Sequence, residues 1–413
     1  MGTVEIVMLT QEENEFMTKV GPGTPAGTWL RRYWYPICPS SELTDETPTR
    51  YVRLLGEDLV MFKDTSGNVG LLLERCAHRG ASLVYGRVEE RGIACAYHGW
   101  LYDCDGNLLE APLERNDALV GRIKHTAYHA RKYAGMYWAY IGPDPVPEIP
   151  KWDVLERKDG RLEINVYQAI DCNWLQSIEN SADPDHRQIL HKDFIGTPKG
   201  REPAPATRGR IDDIWGNDLV DLWYGGIMKV RHFKNGLVEQ HPLILPTILR
   251  QGQGLQYRQP IDDYSIWEIR VNFKPNKDGS LRTDEDDTIV NYIEPHKVPG
   301  YGLNVRPQYL MDRIAFQDYM CWETQGLISD RTIENLGASD ECLVMFRNMV
   351  KANILKTLEG EDPLGVFRDP DHEMIDTKLA NNLGTLGASE NPDVPFIEEN
   401  WPPIGPGFYA QAR

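Results

Sequence analysis

Apolar and polar positions along this chain fall into short alternating bursts over its first third and into longer, mixed runs beyond. Thr10 followed by Glu13 fits a capping box, which predicts a short helix over residues 10–20 that Gly21-Pro22-Gly23 stops. Trp29 to Ile37 is aromatic, is punctuated by Pro36 and Pro39, and reads as extended. Tyr51–Leu55 and Leu59–Lys63 flank Gly56-Glu57-Asp58, and Val60–Phe62 and Val69–Leu73 flank Thr65-Ser66-Gly67-Asn68. Leu101–Asp103 runs into Asp105-Gly106-Asn107. Each pattern predicts a hairpin, so residues 42–147 are expected to form a small all-β domain. Proline-rich residues 142–150 mark its end.

Beyond that boundary Glu163–Ile170 alternates loosely. Trp267, Ile269, Val271 and Phe273 alternate with Glu268, Arg270 and Asn272, which predicts a half-buried strand. Residues 312–356 are helix-compatible, with breaks near Gly326 and Gly337. The expected class is α+β, with an all-β domain followed by a catalytic domain (148–383) whose antiparallel sheet is flanked by helices. Residues 1–41 are expected to pack on that second domain. Residues 384–413 read as an extended tail anchored at Phe396, Trp401 and Phe408.

Composition narrows the function classes. The 413 residues suffice for two or three domains. A net charge of −18 argues against nucleic-acid partners and anionic membranes, which call for Lys and Arg in patches. No apolar run approaches the ~18 residues of a membrane span, and residues 1–16 show no signal-peptide core. The seven cysteines have no disulfide-framework spacing, so a reducing cytoplasm is expected.

Two short clusters carry the first chemistry: Cys76-Ala-His78-Arg-Gly and Cys95-Ala-Tyr-His98-Gly-Trp100. Each offers one thiolate and one imidazole. Two cysteines on one iron and two histidines on the other are what a Rieske [2Fe–2S] centre needs. Structural zinc uses the same residue types, but it groups cysteine with cysteine and histidine with histidine at its usual spacing. Mixed pairs suit two metals, because each loop gives one ligand to each.

The second cluster lies between 171 and 191, where His186, His191, Asp183, Asp185 and Glu179 crowd together. Two histidines and a carboxylate on one face of an Fe(II) make the facial triad of non-haem oxygenases. The alternative is a solvated helix face with two incidental histidines. A spacing of five sets His186 and His191 about 140° apart on an ideal helix. They share a metal only if the helix ends or bends between them, and Pro184 offers a break.

These motifs, C-x-H-R-G … C-x-Y-H-G-W followed by N-x-x-D-x-x-H-x4-H, resemble those of the Rieske non-haem iron ring-hydroxylating oxygenases. The opening 9–36 and Thr324–Arg331 are similar to the phthalate-dioxygenase branch. The resemblance implies that Cys76, Cys95, His78 and His98 hold the cluster, and that His186 and His191 hold a mononuclear Fe(II). It implies that Asp183 bridges an iron histidine to the Rieske histidine of a neighbouring subunit, and that Asn180 stands beside the iron. The third iron ligand is expected among Asp318, Asp330 and Asp340. Asp340 is the choice, because Arg347 follows it at the family's spacing.

It further implies the terminal oxygenase of a multicomponent system. Such a protein uses O2 and electrons from an NAD(P)H-dependent reductase or ferredoxin to hydroxylate or O-demethylate an aromatic substrate. A homotrimer, or a hexamer of two stacked trimers, is expected. An aromatic carboxylate would be held by Arg231, Arg250, Arg258 or Arg270, with His241 nearby, and Trp223, Trp267 and Trp322 could wall the pocket. The competing reading is a Rieske electron carrier or redox sensor without a catalytic iron.

Overall fold

A computed structural model describes residues 9–191, 214–222, 224–233, 238–282, 287–300 and 305–377. The expected tail, with Phe396, Trp401 and Phe408, lies outside the described residues, as does Trp223.

The first helix, Gln11–Thr18, starts where its capping box predicts. Thr10 Oγ1 accepts from the Glu13 amide at 3.2 Å, and Glu13 Oε2 accepts from the Thr10 amide at 3.0 Å. A second helix, Pro25–Leu30, takes Trp29 and Leu30 out of the segment expected to be extended. Thr24 caps it and Pro25 opens it, a start signal that outweighs the β preference of the aromatic residues. Both helices pack on the helix Glu341–Leu358.

Tyr35–Pro39 follows and pairs antiparallel with Met136–Tyr140, ahead of the expected boundary at 42. It is the edge of a six-stranded sheet in the order Tyr35–Pro39, Met136–Tyr140, Ala127–Tyr133, Val69–Leu73, Glu57–Lys63, Thr49–Leu54. The hairpin between the last two turns at Leu55 (φ 49°) and Gly56 (φ 79°), the left-handed pair that a tight hairpin needs. A four-stranded sheet, Arg87–Glu89, Gly92–Ala94, Leu101–Tyr102 and Leu108–Glu110, packs over it. Val60, Phe62, Leu72, Leu83, Ile93, Tyr102 and Leu108 form one core there with Cys76 and Cys95.

The second domain is built on an eight-stranded sheet. Its order is Ile214–Leu222, Gly226–Phe233, Val238–Ile244, Ile248–Gln251, Gly254–Pro260, Ile266–Pro275, Gly160–Val166, Thr288–Tyr292. Every pairing is antiparallel except that of Gly160–Val166 with Thr288–Tyr292, which is parallel. The helices Trp174–Ala182, Ile314–Thr324 and Glu341–Leu358 share a core with Ile266 through Ile178, Phe316, Tyr319, Trp322, Phe346 and Val350.

That cover changes the reading of Ile266–Pro275. Glu268 and Arg270, expected on a wet face, are 0% and 6% exposed. They survive burial by satisfying each other: Arg270 Nε donates to Glu268 Oε1 at 2.6 Å, and Tyr319 donates to Glu268 Oε2 at 2.7 Å. Among the described residues no helix is long and apolar enough to cross a membrane.

Candidate redox and metal centres

The two Cys–His loops are built alike. The Cys76 carbonyl accepts from the Gly80 amide at 2.8 Å, and the Cys76 amide donates to the Ala81 carbonyl at 2.9 Å. In the second loop the Cys95 carbonyl accepts from the Gly99 amide at 2.9 Å, and the Cys95 amide donates to the Trp100 carbonyl at 2.8 Å. Gly80 (φ 73°) and Gly99 (φ 74°) turn both loops through the left-handed region. The result is two matching knuckles facing each other. Their thiols are buried, at 3% and 4% exposure for Cys76 and Cys95, and neither is in a disulfide.

The imidazoles of His78 and His98 lie outside the thiols, half-exposed, with ring centroids 4.6 Å apart. Trp100 stacks on His78 at 4.6 Å and 6°, fixing that ring's plane. The Tyr102 hydroxyl lies 3.3 Å from Cys76 Sγ. Burial pushes the Cys76 thiol up, and Cys95 beside it adds to the rise against the Tyr102 hydrogen bond. Two adjacent buried sulfurs, capped by two outward imidazoles, fit a cationic diiron core.

The second centre gathers on three elements. His186 opens the short helix His186–Leu190, and His191 is its C-terminal residue with φ −102° and ψ 8°. The helix therefore ends between the two ligands, and their rings come to 5.4 Å and 84°. Pro184 separates this helix from Trp174–Ala182. Asp183 links the two: its Oδ1 accepts from the amides of Asp185 (2.7 Å) and His186 (3.3 Å), while Oδ2 faces His186 Nδ1 at 3.4 Å.

Opposite them stands Asp318, on the helix Ile314–Thr324 and 8% exposed. His191 Nε2 approaches Asp318 Oδ1 at 3.1 Å and His186 Nε2 at 3.7 Å. Asn180 Nδ2 donates to the same oxygen at 3.3 Å. His186, His191 and Asp318 are the group of possible metal ligands that lies within 4.8 Å of one another. The Nδ1 sides turn elsewhere: His191 Nδ1 meets Gln317 Oε1 at 2.7 Å, and His186 Nδ1 faces Asp183 Oδ2 at 3.4 Å without a hydrogen bond. Both Nε2 atoms thus point at the carboxylate, the tautomer that a facial triad requires. Burial raises Asp318, but the hydrogen bond and charge of His191 more than offset it, so the carboxyl sits below its ordinary range.

The structure does not bring Asp340, the expected third ligand, into this group. Asp340 Oδ2 accepts from the Gly337 amide at 2.7 Å, in the turn that starts Glu341–Leu358. Its marker, Arg347, pairs with Glu179 (2.6 Å) and Glu334 (2.7 Å) instead. Asp330 holds Thr332 in an exposed turn. The signal for Asp318 was a lone carboxylate inside the apolar helical run of Phe316, Tyr319 and Trp322. Gln317, beside it, was missed altogether.

The candidate substrate clamps are mostly consumed. Arg250 pairs with Asp153 at 3.2 Å, and Arg270 pairs with Glu268. Arg258 donates to the Ser177 carbonyl, Ser181 Oγ and Gln256 Oε1. The side chain of Arg231 lies outside the described residues. Trp267 is half-buried with its indole N–H on the Tyr167 carbonyl (2.9 Å), and Trp322 is buried under Arg258.

Comparison with known proteins gives the family. The Rieske [2Fe-2S] domain family matches residues 33–133, and the "LigXa C-terminal domain like" family matches 311–378, which holds Asp318. The chain is 36% identical to the 5,5'-dehydrodivanillate O-demethylase oxygenase subunit of a Sphingobium species, over 88% of this chain and 84% of that one. It is 32% identical to the phthalate 4,5-dioxygenase oxygenase subunit of Pseudomonas putida, over 87% and 89%. It is 49% identical to the tert-butanol monooxygenase / tert-amyl alcohol desaturase oxygenase subunit of Aquincola tertiaricarbonis, over 81% and 74%. Among solved structures, Pseudomonas putida NdmA with caffeine shares the fold at a TM-score of 0.59 and 19% identity, covering 84% of this chain and 98% of that one. With two matched knuckles, a two-histidine carboxylate centre and relatives aligned over most of their length, the chain belongs to the Rieske non-haem iron oxygenases, as an oxygenase (alpha) component.

Proposed function

We propose that His186, His191 and Asp318 hold the mononuclear iron of this terminal oxygenase, and that Cys76, His78, Cys95 and His98 hold its Rieske cluster. The convergence of two Nε2 atoms on one buried carboxylate oxygen carries the first assignment. When bound, the two groups supply one-electron transfer and O2 activation. The chain's own residues orient them. Gln317 holds His191 by its Nδ1 side, Asp183 faces that of His186, Asn180 steadies Asp318, and Trp100 fixes the plane of His78.

Asp183 remains about one-third exposed beside His186. Burial raises its carboxyl, but His186, the Asp185 amide and Lys229 lower it further, so it stands as a charged acceptor toward solvent. We assign it the bridge to a Rieske histidine of a neighbouring chain, which makes a homotrimer, or two stacked trimers, the working assembly. An external ferredoxin or NAD(P)H-dependent reductase supplies electrons. Unpaired thiols at all seven cysteines support a reducing cytoplasm.

For substrate, an aromatic compound hydroxylated or O-demethylated is the first reading. A second, an uncharged small alcohol or ether, is favoured by the internal pairing of Arg250, Arg258 and Arg270 and by the 49% identity to a tert-butanol monooxygenase subunit. The test is metal analysis with a substrate screen. Holoprotein should carry three irons and two sulfides per chain by the stoichiometry of one [2Fe–2S] and one Fe(II). His186→Ala should lose one iron and all substrate-dependent O2 uptake while keeping the Rieske spectrum. A wild-type protein with no iron beyond the cluster would leave only an electron carrier. Benzoates, methoxybenzoates and tertiary alcohols form the panel, and product mass tells ring hydroxylation from demethylation.

A further inference from the structure

Among the described candidate clamps, Arg258 bonds directly to a helix that leads into the iron centre. It is 2% exposed on the strand Gly254–Pro260. Nη1 donates to the Ser177 carbonyl and to Ser181 Oγ, both at 2.6 Å, and Nη2 donates to Gln256 Oε1 at 3.0 Å. Its guanidinium lies 4.5 Å over the ring of Trp322. Ser177 and Ser181 are one turn apart on Trp174–Ala182, the helix that bears Asn180 and ends at Asp183. Trp322 is one turn beyond Asp318 on Ile314–Thr324. One side chain therefore ties the sheet to both helices that present the centre, a single turn from where the key groups emerge. Gln176 reinforces the same seam, donating to the carbonyls of Trp322 (2.8 Å) and Gly326 (2.7 Å).

A buried cation without a direct carboxylate partner is costly. Among the described residues no carboxylate pairs with Arg258 within 4.0 Å, and its Nε makes no hydrogen bond. A methionine of similar reach would fill the space at lower cost, so packing alone does not account for a guanidinium. We propose that Arg258 is a positioning residue that sets the spacing between Asp318 and the His186/His191 segment, and so the geometry of the mononuclear site. This inference rests on the iron assignment above.

The test compares Arg258→Met and Arg258→Lys with Arg250→Met in cluster-containing protein. Arg250 is a matched control: 3% exposed, also without a partner at Nε, and bonded to Asp153 and the Gly254 carbonyl away from both ligand helices. Iron retention against a chelator and the EPR line shape of the ferrous–nitric oxide adduct, with the cluster oxidised, read the site apart from turnover. Arg258→Met should weaken iron retention about tenfold or more, as loss of outer-sphere support does elsewhere, and change the line shape. Arg258→Lys, keeping one donor, should fall between. Arg250→Met should lower the melting temperature and leave both signals as in wild type.

Should Arg258→Met not fold, Ser181→Ala removes one of the bonds, and a weaker shift in the same direction is expected. Wild-type retention and line shape in every folded Arg258 and Ser181 variant, or the same change in Arg250→Met, would overturn the proposal. Absence of mononuclear iron from wild type itself would overturn the site assignment instead.

Discussion

Replacing Tyr102 by phenylalanine removes one hydrogen bond from a cluster sulfur and little else. The ring is fully buried between Trp100 (6.5 Å) and His125 (5.1 Å), so phenylalanine keeps its packing. Burial, with Cys76 adding to it, pushes the Tyr102 hydroxyl far above its ordinary range, so it stays protonated. Against a thiolate it can only donate, across 3.3 Å. Reduction adds negative charge to the cluster, so the bond is stronger in the reduced state. A hydrogen bond to a charged group contributes ~1.5–3 kcal/mol, against about 1 kcal/mol for a neutral one, so the two redox states should differ by ~0.5–2 kcal/mol. At about 1.36 kcal/mol and 59 mV per factor of ten for one electron, Tyr102→Phe should lower the Rieske potential by roughly 20–90 mV. An EPR-monitored redox titration measures this. A potential that rises, or that moves by less than about 20 mV, would show that the hydroxyl does not support the reduced sulfur.

The remaining expectations concern the second domain. Asp318→Ala should abolish mononuclear iron binding with the Rieske spectrum intact, whereas Asp340→Ala should retain iron and lose only about 0.5–2 kcal/mol of stability from its turn, read by denaturant titration. Glu179, buried between Arg331 (2.6 Å) and Arg347 (2.6 Å), ties the helix Trp174–Ala182 to the chain's C-terminal half. Glu179→Gln leaves two arginines under-compensated and should cost roughly 3–5 kcal/mol, and an unchanged melting temperature would exclude the clamp. Burial raises Glu323, but His296, Lys297 and the Asp171 amide outweigh it and bring its carboxyl down to about 2. A depressed carboxylate contributes stability that is fully present above its unfolded value of 4.5 and is lost as pH falls through about 2. Glu323→Gln should therefore flatten acid unfolding in that window, checked by circular dichroism across pH.

What could be read from the chain beforehand follows the range of the forces involved. The Rieske hairpins and the capping box at Thr10 rest on contacts within a few residues, so turn chemistry and spacing carried them. The pairing of His186 with His191 needed one local fact, a helix that stops at Leu190, and Pro184, upstream of both histidines, does not mark that stop. The proposed third ligand, Asp318, did not yield, because it sits more than a hundred residues from His191. The Asp340–Arg347 spacing misled, because Arg347 answers to Glu179 and Glu334 across the fold. The same limit explains Glu268, Arg258 and Arg270. Alternation put Glu268 and Arg270 on the face opposite Ile269 and Val271, but it could not say that two helices would cover that face. Once covered, a charged residue persists only where its bonds can be met. Glu268 and Arg270 do this by pairing, and Arg258 by reaching the backbone and serine of the helix Trp174–Ala182. A polar residue on an otherwise apolar stripe is thus ambiguous in sequence between surface and keystone. The ambiguity is resolved by its partners, which here lie on the helices that carry Asn180 and Asp318.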